Sequence, residues 1–150
     1  MLFVTFLIAC AAAGATGLSF KPESWYEELI KPPITPPRWV FPVAWTTIYV
    51  LISWGAARLA VRPETGMVLA LWSAQIALNT LWTPVFFGAH RLDWALGVIV
   101  ALWVVVAAMT FAAFRHDVFA ALLFLIYLGW LTYAGLLNLH IWQDNRDTMV

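Results

Sequence analysis

The sequence predicts an all-α membrane protein: a bundle of five transmembrane helices with a long, partly helical connection between the first two. Three observations carry this. Of 150 residues, 63% are hydrophobic and only 11% charged, with a mean hydropathy of +0.84. A soluble domain carries about 25% charged residues, so these charges are too few to cover a globule. Five apolar windows, residues 2–20, 42–61, 66–88, 94–114 and 118–142, match the roughly 20 residues a helix needs to cross a bilayer. The charges fall almost wholly between these windows. The connections 62–65, 89–93 and 115–117 are short, which makes consecutive helices antiparallel neighbours in one domain, residues 1–150, with termini on opposite sides.

The first window lacks the basic leader of a signal peptide. "LIAC", ending at Cys10, has the look of a lipoprotein cleavage box, but cutting there leaves about ten apolar residues before Lys21, too few to span. The first helix is therefore retained. As the single cysteine, Cys10 excludes an intramolecular disulfide and a cysteine-based metal cluster. In the connection that follows, "KPESWYEELIKPPITPPR", Ser24 and Glu27 have capping-box spacing and Pro22 suits an opening turn, giving a short helix over 23–30. Trp25 and Leu29 share one of its faces. The prolines after it enforce extended chain. Two readings stand: an interfacial helix on the headgroups, or a lid over the bundle mouth. Lys21, Lys31, Arg38, Arg91 and Arg146 fall on one side, and Arg58, Arg62 and Arg115 on the other, which places the long connection and the C-terminus in the cytoplasm.

The third window is the informative one. At about 100° per residue, Trp72, Gln75, Asn79, Trp82 and Phe86 line one face. Amides facing lipid go unsatisfied, so this face points inward. Ala70, Ala74, Ala77 and Leu81 lie opposite. Small residues four apart let another helix approach closely, so Ala70, Ala74 and Ala77 are the expected homodimer seam; Ala9, Ala13 and Gly17 are the alternative. Pro84 deprives the Thr80 carbonyl of its donor and bends the helix, with the hydroxyls of Thr80 and Thr83 at hand to compensate. Asn79 is either interhelical glue or a ligand contact. Matching faces come from the fifth helix (Tyr127, Trp130, Ala134, Asn138), the second (Trp45, Tyr49, Ile52, Ala56) and the first (Thr5, Ala9, Ala12, Thr16, Ser19). Converging, they enclose an aromatic cavity with a few polar points, the general form of a small-molecule site; the other reading is a core simply filled with aromatics.

Several function classes fall away. Lys+Arg and Asp+Glu are both 8, so no basic field argues for nucleic acid. No charge lies deep in a span, so no proton relay or ion path is visible. His90, His116 and His140 share no metal-ligand spacing, and no nucleophile–base pairing stands out. No catalytic residue and no metal site is assigned.

The segments "WYEELIKPPITPPRWVFPVAWTTIY", "AQIALNTLWTPVFF" and "IYLGWLTYAGLLNLHIWQDN" resemble the tryptophan-rich sensory protein and translocator protein (TspO/MBR) family, also called peripheral-type benzodiazepine receptors. The resemblance runs from Leu2 to Asn145. It implies a five-helix, usually dimeric, multi-pass protein of a bacterial envelope membrane that binds protoporphyrin IX and related haem-type tetrapyrroles, with drug-like ligands and cholesterol as further ligands in animals. No obligatory cofactor is implied. Carried over by position, Trp25 and Tyr26 lie over the pocket, Trp39 stands in the P-P-R-W motif, Trp45 and Asn79 are polar ligand contacts, Trp130 and Ala134 form the wall, and Asn138 neighbours the sterol motif. With Tyr49, Gln75 and Trp82 from the helix faces, these make the ligand-binding set. The sterol motif is broken, with Leu139 in the tyrosine place and Gln143 in the basic place, which puts cholesterol in doubt. The function expected is a tetrapyrrole-binding sensor or regulator, with a tetrapyrrole transporter or a light-driven porphyrin-degrading photo-enzyme as alternatives.

Overall fold

The computed structural model describes residues 1–20 and 24–148. Lys21, Pro22 and Glu23, which enter the charge count and the start of the short helix, lie outside the described residues. Among the described residues, six α-helices follow one another: α1 (Leu2–Ser19), α2 (Ser24–Glu28), α3 (Val40–Ala60), α4 (Gly66–Thr83), α5 (Leu92–Ala113) and α6 (Val118–Asn145), with a π-helical turn, Pro84–Gly88, closing α4. Among the described residues, α1, α3, α5 and α6 are long and apolar enough to cross a membrane. Helix α4 is as long as α1 but is not one of these four, because Ser73, Gln75, Asn79 and Thr80 dilute its apolar content.

Helix ends differ from the apolar windows for local reasons. Helix α3 starts two residues ahead of its window, which puts Pro42 in the first turn; N–H groups there have no intrahelical partner anyway, so the proline costs nothing. Helix α6 runs on to Asn145, whose side chain has tertiary work. Its Oδ1 accepts from the Ile30 N–H and its Nδ2 donates to the Ile30 carbonyl, both at 2.9 Å. That pair of bonds ties the segment after α2 to the end of α6.

Each long helix packs most extensively on two others, in the ring α1–α3–α6–α5–α4 and back to α1. The short 62–65 connection predicts that α3 and α4 are antiparallel neighbours. They do touch, through the Trp72 indole donating to the Ile52 carbonyl at 3.2 Å and the Tyr49 hydroxyl donating to Asn79 Oδ1 at 2.9 Å, but each packs more extensively on α1. Cys10 and Ala13 of α1 are buried in this packing, with the Ser53 hydroxyl 3.4 Å from the Cys10 sulfur. Ala13 is thus occupied within its own chain, whereas Ala70, Ala74 and Ala77 of α4 face outward.

At the 62–65 end, Asp117 closes the bundle. It caps α6 by accepting from the Ala120 N–H at 3.1 Å, and its other oxygen receives Arg58 at 2.9 Å and Arg62 at 2.8 Å. Desolvation is the largest single influence on this carboxyl and pushes it upward, but the Ala120 N–H and the two guanidinium groups together outweigh it and hold it below the usual carboxylate range. A depressed folded-state value means the stabilisation is complete above about pH 4, where an unfolded aspartate ionises, and is lost as pH falls through the folded value. Asparagine can still cap, so Asp117→Asn isolates the charge. The melting-temperature gap between wild type and this variant should be constant from pH 7 to about 5 and close below about pH 4; a gap unchanged down to pH 3 would show that charge is not its source.

Candidate functional site

A cavity of about 740 Å³ opens toward the end of the bundle where α2 sits, walled by α1, α3, α4 and α6 with Ile99 and Leu102 of α5 at its base. That volume falls within the range of small-molecule sites. The contribution of α1 is not the hydroxyl-bearing stripe. The Thr5 hydroxyl donates to the Met1 carbonyl and that of Thr16 to the Ala13 carbonyl, so both are satisfied within their own helix, and Leu7, Ala11, Gly14 and Leu18 line the cavity instead. Gly14 is required by closeness: a Cβ there would lie 2.9 Å from Cε2 of the Tyr49 ring.

The polar centre is a chain of side chains crossing three helices. The Tyr49 hydroxyl donates to Asn79 Oδ1 at 2.9 Å, Asn79 Nδ2 donates to the Tyr127 hydroxyl at 2.9 Å, and that hydroxyl donates to Gln75 Oε1 at 3.0 Å. Asn79 therefore binds α3 and α6 to α4 while its side chain also lines the cavity. A second chain runs nearer the mouth, where the Trp82 indole donates to Asn138 Oδ1 at 3.3 Å and Asn138 Nδ2 donates to the Leu92 carbonyl at 3.1 Å. Trp45 anchors the aromatic wall, its ring meeting Trp130 edge-on at 6.3 Å and Tyr127 at 6.2 Å. Among the described residues, two buried side-chain donors have no protein partner: Trp130 Nε1 and Gln75 Nε2. Orphaned buried donors are costly, and of these two residues only Trp130 lines the cavity.

Of the residues singled out from sequence, Tyr26, Trp45, Tyr49, Asn79, Trp82, Trp130, Ala134 and Asn138 line this cavity. Gln75 lies behind the wall, fully buried beside Tyr127. Trp25 turns away from the cavity and stacks on His90, with ring centroids 4.1 Å apart and planes 17° from parallel. Trp39 precedes α3 and is 65% exposed. The mouth also holds a residue that the sequence reading counted only as a charge for orientation. Arg38 lines the cavity, and its guanidinium bonds the Glu27 carboxylate of α2. Its place in P-P-R-W, between rigid extended chain and the start of α3, was the available signal.

The C-terminal end of α4 is rebuilt at Pro84. The Thr80 hydroxyl donates to the Ile76 carbonyl at 2.7 Å rather than compensating at its own turn. The ladder widens instead: the Ala89 N–H reaches back five residues to the Pro84 carbonyl at 2.8 Å. This turn carries Phe86 into the cluster of Tyr26, Leu29 and Ile141 that seats α2.

A model of the TspO/MBR family matches residues 3–143. The chain belongs to the TspO/MBR family. Among similar TspO/MBR proteins is the tryptophan-rich sensory protein of Cereibacter sphaeroides, 49% identical over 144 residues, covering 96% of this chain and 91% of that protein. Protein CrtK of Rhodobacter capsulatus is 48% identical over 148 residues, covering 96% and 92%. The human translocator protein is 37% identical over 127 residues, covering 81% and 75%. The TspO/MBR match takes in every helix that walls the cavity.

Proposed function

We propose that this protein is a tetrapyrrole-binding sensor or regulator that crosses a bacterial envelope membrane five times, with α4 as the fifth span and the α2 connection and C-terminal end on the cytoplasmic side. One observation carries the reading: a cavity about 740 Å³ in volume whose lining is almost wholly apolar and includes the rings of Trp45, Trp82 and Trp130. A flat π-system such as protoporphyrin IX can stack on the face of one of Trp45 and Trp130 and meet the other edge-on, since their planes stand 87° apart. Helix α4 tolerates its amides because they bond inward to tyrosine hydroxyls. No obligatory cofactor is needed, and drug-like ligands fit the same cavity. Sterol binding is disfavoured by Leu139 and Gln143, which break the sterol pattern. The outward stripe of Ala70, Ala74 and Ala77 forms a homodimer seam; Ala74→Leu should weaken cross-linked dimers in detergent, and unchanged dimers would move the seam elsewhere.

The test is tryptophan-fluorescence quenching by protoporphyrin IX in the purified, detergent-solubilised protein. Saturable quenching is expected, with affinity falling about tenfold in Trp130→Ala, which removes a ring from the wall. Quenching that rises linearly without saturation would overturn the reading. The edge contacts joining Trp45, Tyr127 and Trp130 favour a second reading, light-driven porphyrin oxidation with the indoles as electron donors. Illumination under air separates the two, since only a photo-enzyme bleaches the porphyrin faster than free porphyrin in the same detergent.

A further inference from the structure

The cavity is apolar almost throughout. Among the described residues lining it, Arg38 is the only one with a formal charge. It stands at the mouth, just ahead of α3, and its Nη2 bonds Oε1 of Glu27 on α2. Both side chains are more than half exposed, at 62% and 59%. An exposed ion pair of this kind contributes little to stability and is readily exchanged. Guanidinium offers a planar fork of donors that fits a carboxylate in two-point contact. Glu27 is held within reach because its neighbours are fixed: Tyr26 and Leu29 are buried against the π turn and the end of α6, and the Glu27 carbonyl accepts from Lys31 Nζ at 3.0 Å. Tyr26 lines the same mouth. Burial pushes its hydroxyl upward while Arg38 pulls it the other way, which places the guanidinium's field on this rim.

We propose that Arg38 is the carboxylate-recognition group of the cavity and that Glu27 is a tethered stand-in for the ligand's own carboxylate, displaced when the ligand binds. The proposal rests on the tetrapyrrole reading and refines it. The ligand class is an apolar plane bearing at least one ionised carboxylate at its edge, with the plane among the rings and the carboxylate at the mouth. Displacement leaves α2 seated by Tyr26, Leu29 and the Asn145–Ile30 bonds but sets free an acidic side chain on its outer surface. Occupancy of a cavity inside the bundle is thereby written as a change of charge pairing outside it.

The experiment compares protoporphyrin IX with its dimethyl ester, which keeps the ring and removes the charge. Dissociation constants are measured by tryptophan quenching in the full-length protein, for wild type, Arg38→Gln and Glu27→Gln. The expected acid-over-ester preference of wild type is about tenfold, shrinking as salt screens an exposed contact. Arg38→Gln should remove most of that preference. Glu27→Gln, which empties the guanidinium of its competitor, should raise it about threefold. An acid-over-ester ratio unchanged in Arg38→Gln would overturn the role of Arg38. A ratio lowered in Glu27→Gln would overturn the stand-in, because Glu27 would then be building the site instead of occupying it. If neither acid nor ester binds wild type, the tetrapyrrole reading itself falls; if both bind and only the ratios misbehave, that reading survives and this inference alone is lost.

Discussion

Asn79→Leu should cost the protein thermal stability and protoporphyrin affinity together. Leucine fills the volume but removes both ends of a bridge: the Tyr49 hydroxyl loses its acceptor and the Tyr127 hydroxyl loses a donor. An orphaned buried polar group costs on the order of 1–3 kcal/mol. Side-chain hydrogen bonds inside membrane proteins average nearer 0.6 kcal/mol, so a loss of about 1–2 kcal/mol is the reasonable figure for the pair. Affinity should fall about tenfold, because Asn79 lines the cavity and sets the Tyr49 ring beside it. Tyr127→Phe is the control. Tyr127 lies behind the wall, so its loss should lower stability and leave binding nearly unchanged. Wild-type affinity in Asn79→Leu at matched folded fraction would assign Asn79 to the framework alone.

The second large effect is expected at Gly55. Here α3 meets α6 so closely that a Cβ would lie 2.6 Å from Cε1 of Phe124, a ring with no exposed surface and nowhere to move. Gly55→Ala gains about 1 kcal/mol of helix propensity but must displace that ring, and overpacking costs about 1–3 kcal/mol. A net loss is expected, larger for Gly55→Val. The double variant Gly55→Ala, Phe124→Leu should recover much of the melting temperature lost by the single one. If Gly55→Ala melts higher than wild type, the close approach is softer than the contact distances require.

The inward face of α4 was legible in the sequence because its polar groups repeat at helical spacing, and an amide has few tolerable directions in a bilayer. Gln75 and Asn79 are buried as that argument requires, and Ala70, Ala74 and Ala77 lie outside. The same reasoning misplaced α1. A threonine hydroxyl can bond a carbonyl one turn back in its own helix, so Thr5 and Thr16 say nothing about which side is interior. The position of α1 between α3 and α4 was not legible either, since a short turn fixes where two helices begin together but not how far apart they finish. Arg38 was hidden for another reason. A charge beside a span satisfies the counting rule for orientation, and only the fold reveals that it borders a cavity.

The widened turn at 84–88 has a consequence for chain length. An α-helix advances about 100° per residue, so removing one residue from the middle of α4 would swing everything beyond it by that angle and take Asn79 off the face shared with Tyr49 and Tyr127. Within Pro84–Gly88 the ladder already holds one residue more than an α-helix needs, as the Ala89-to-Pro84 bond shows. A deletion there can be absorbed by tightening the turn to α-helical pitch, leaving both the polar chain upstream and the start of α5 in phase. The segment acts as an expansion joint, and it is the one place in this helix where the count of residues and the direction of side chains are uncoupled.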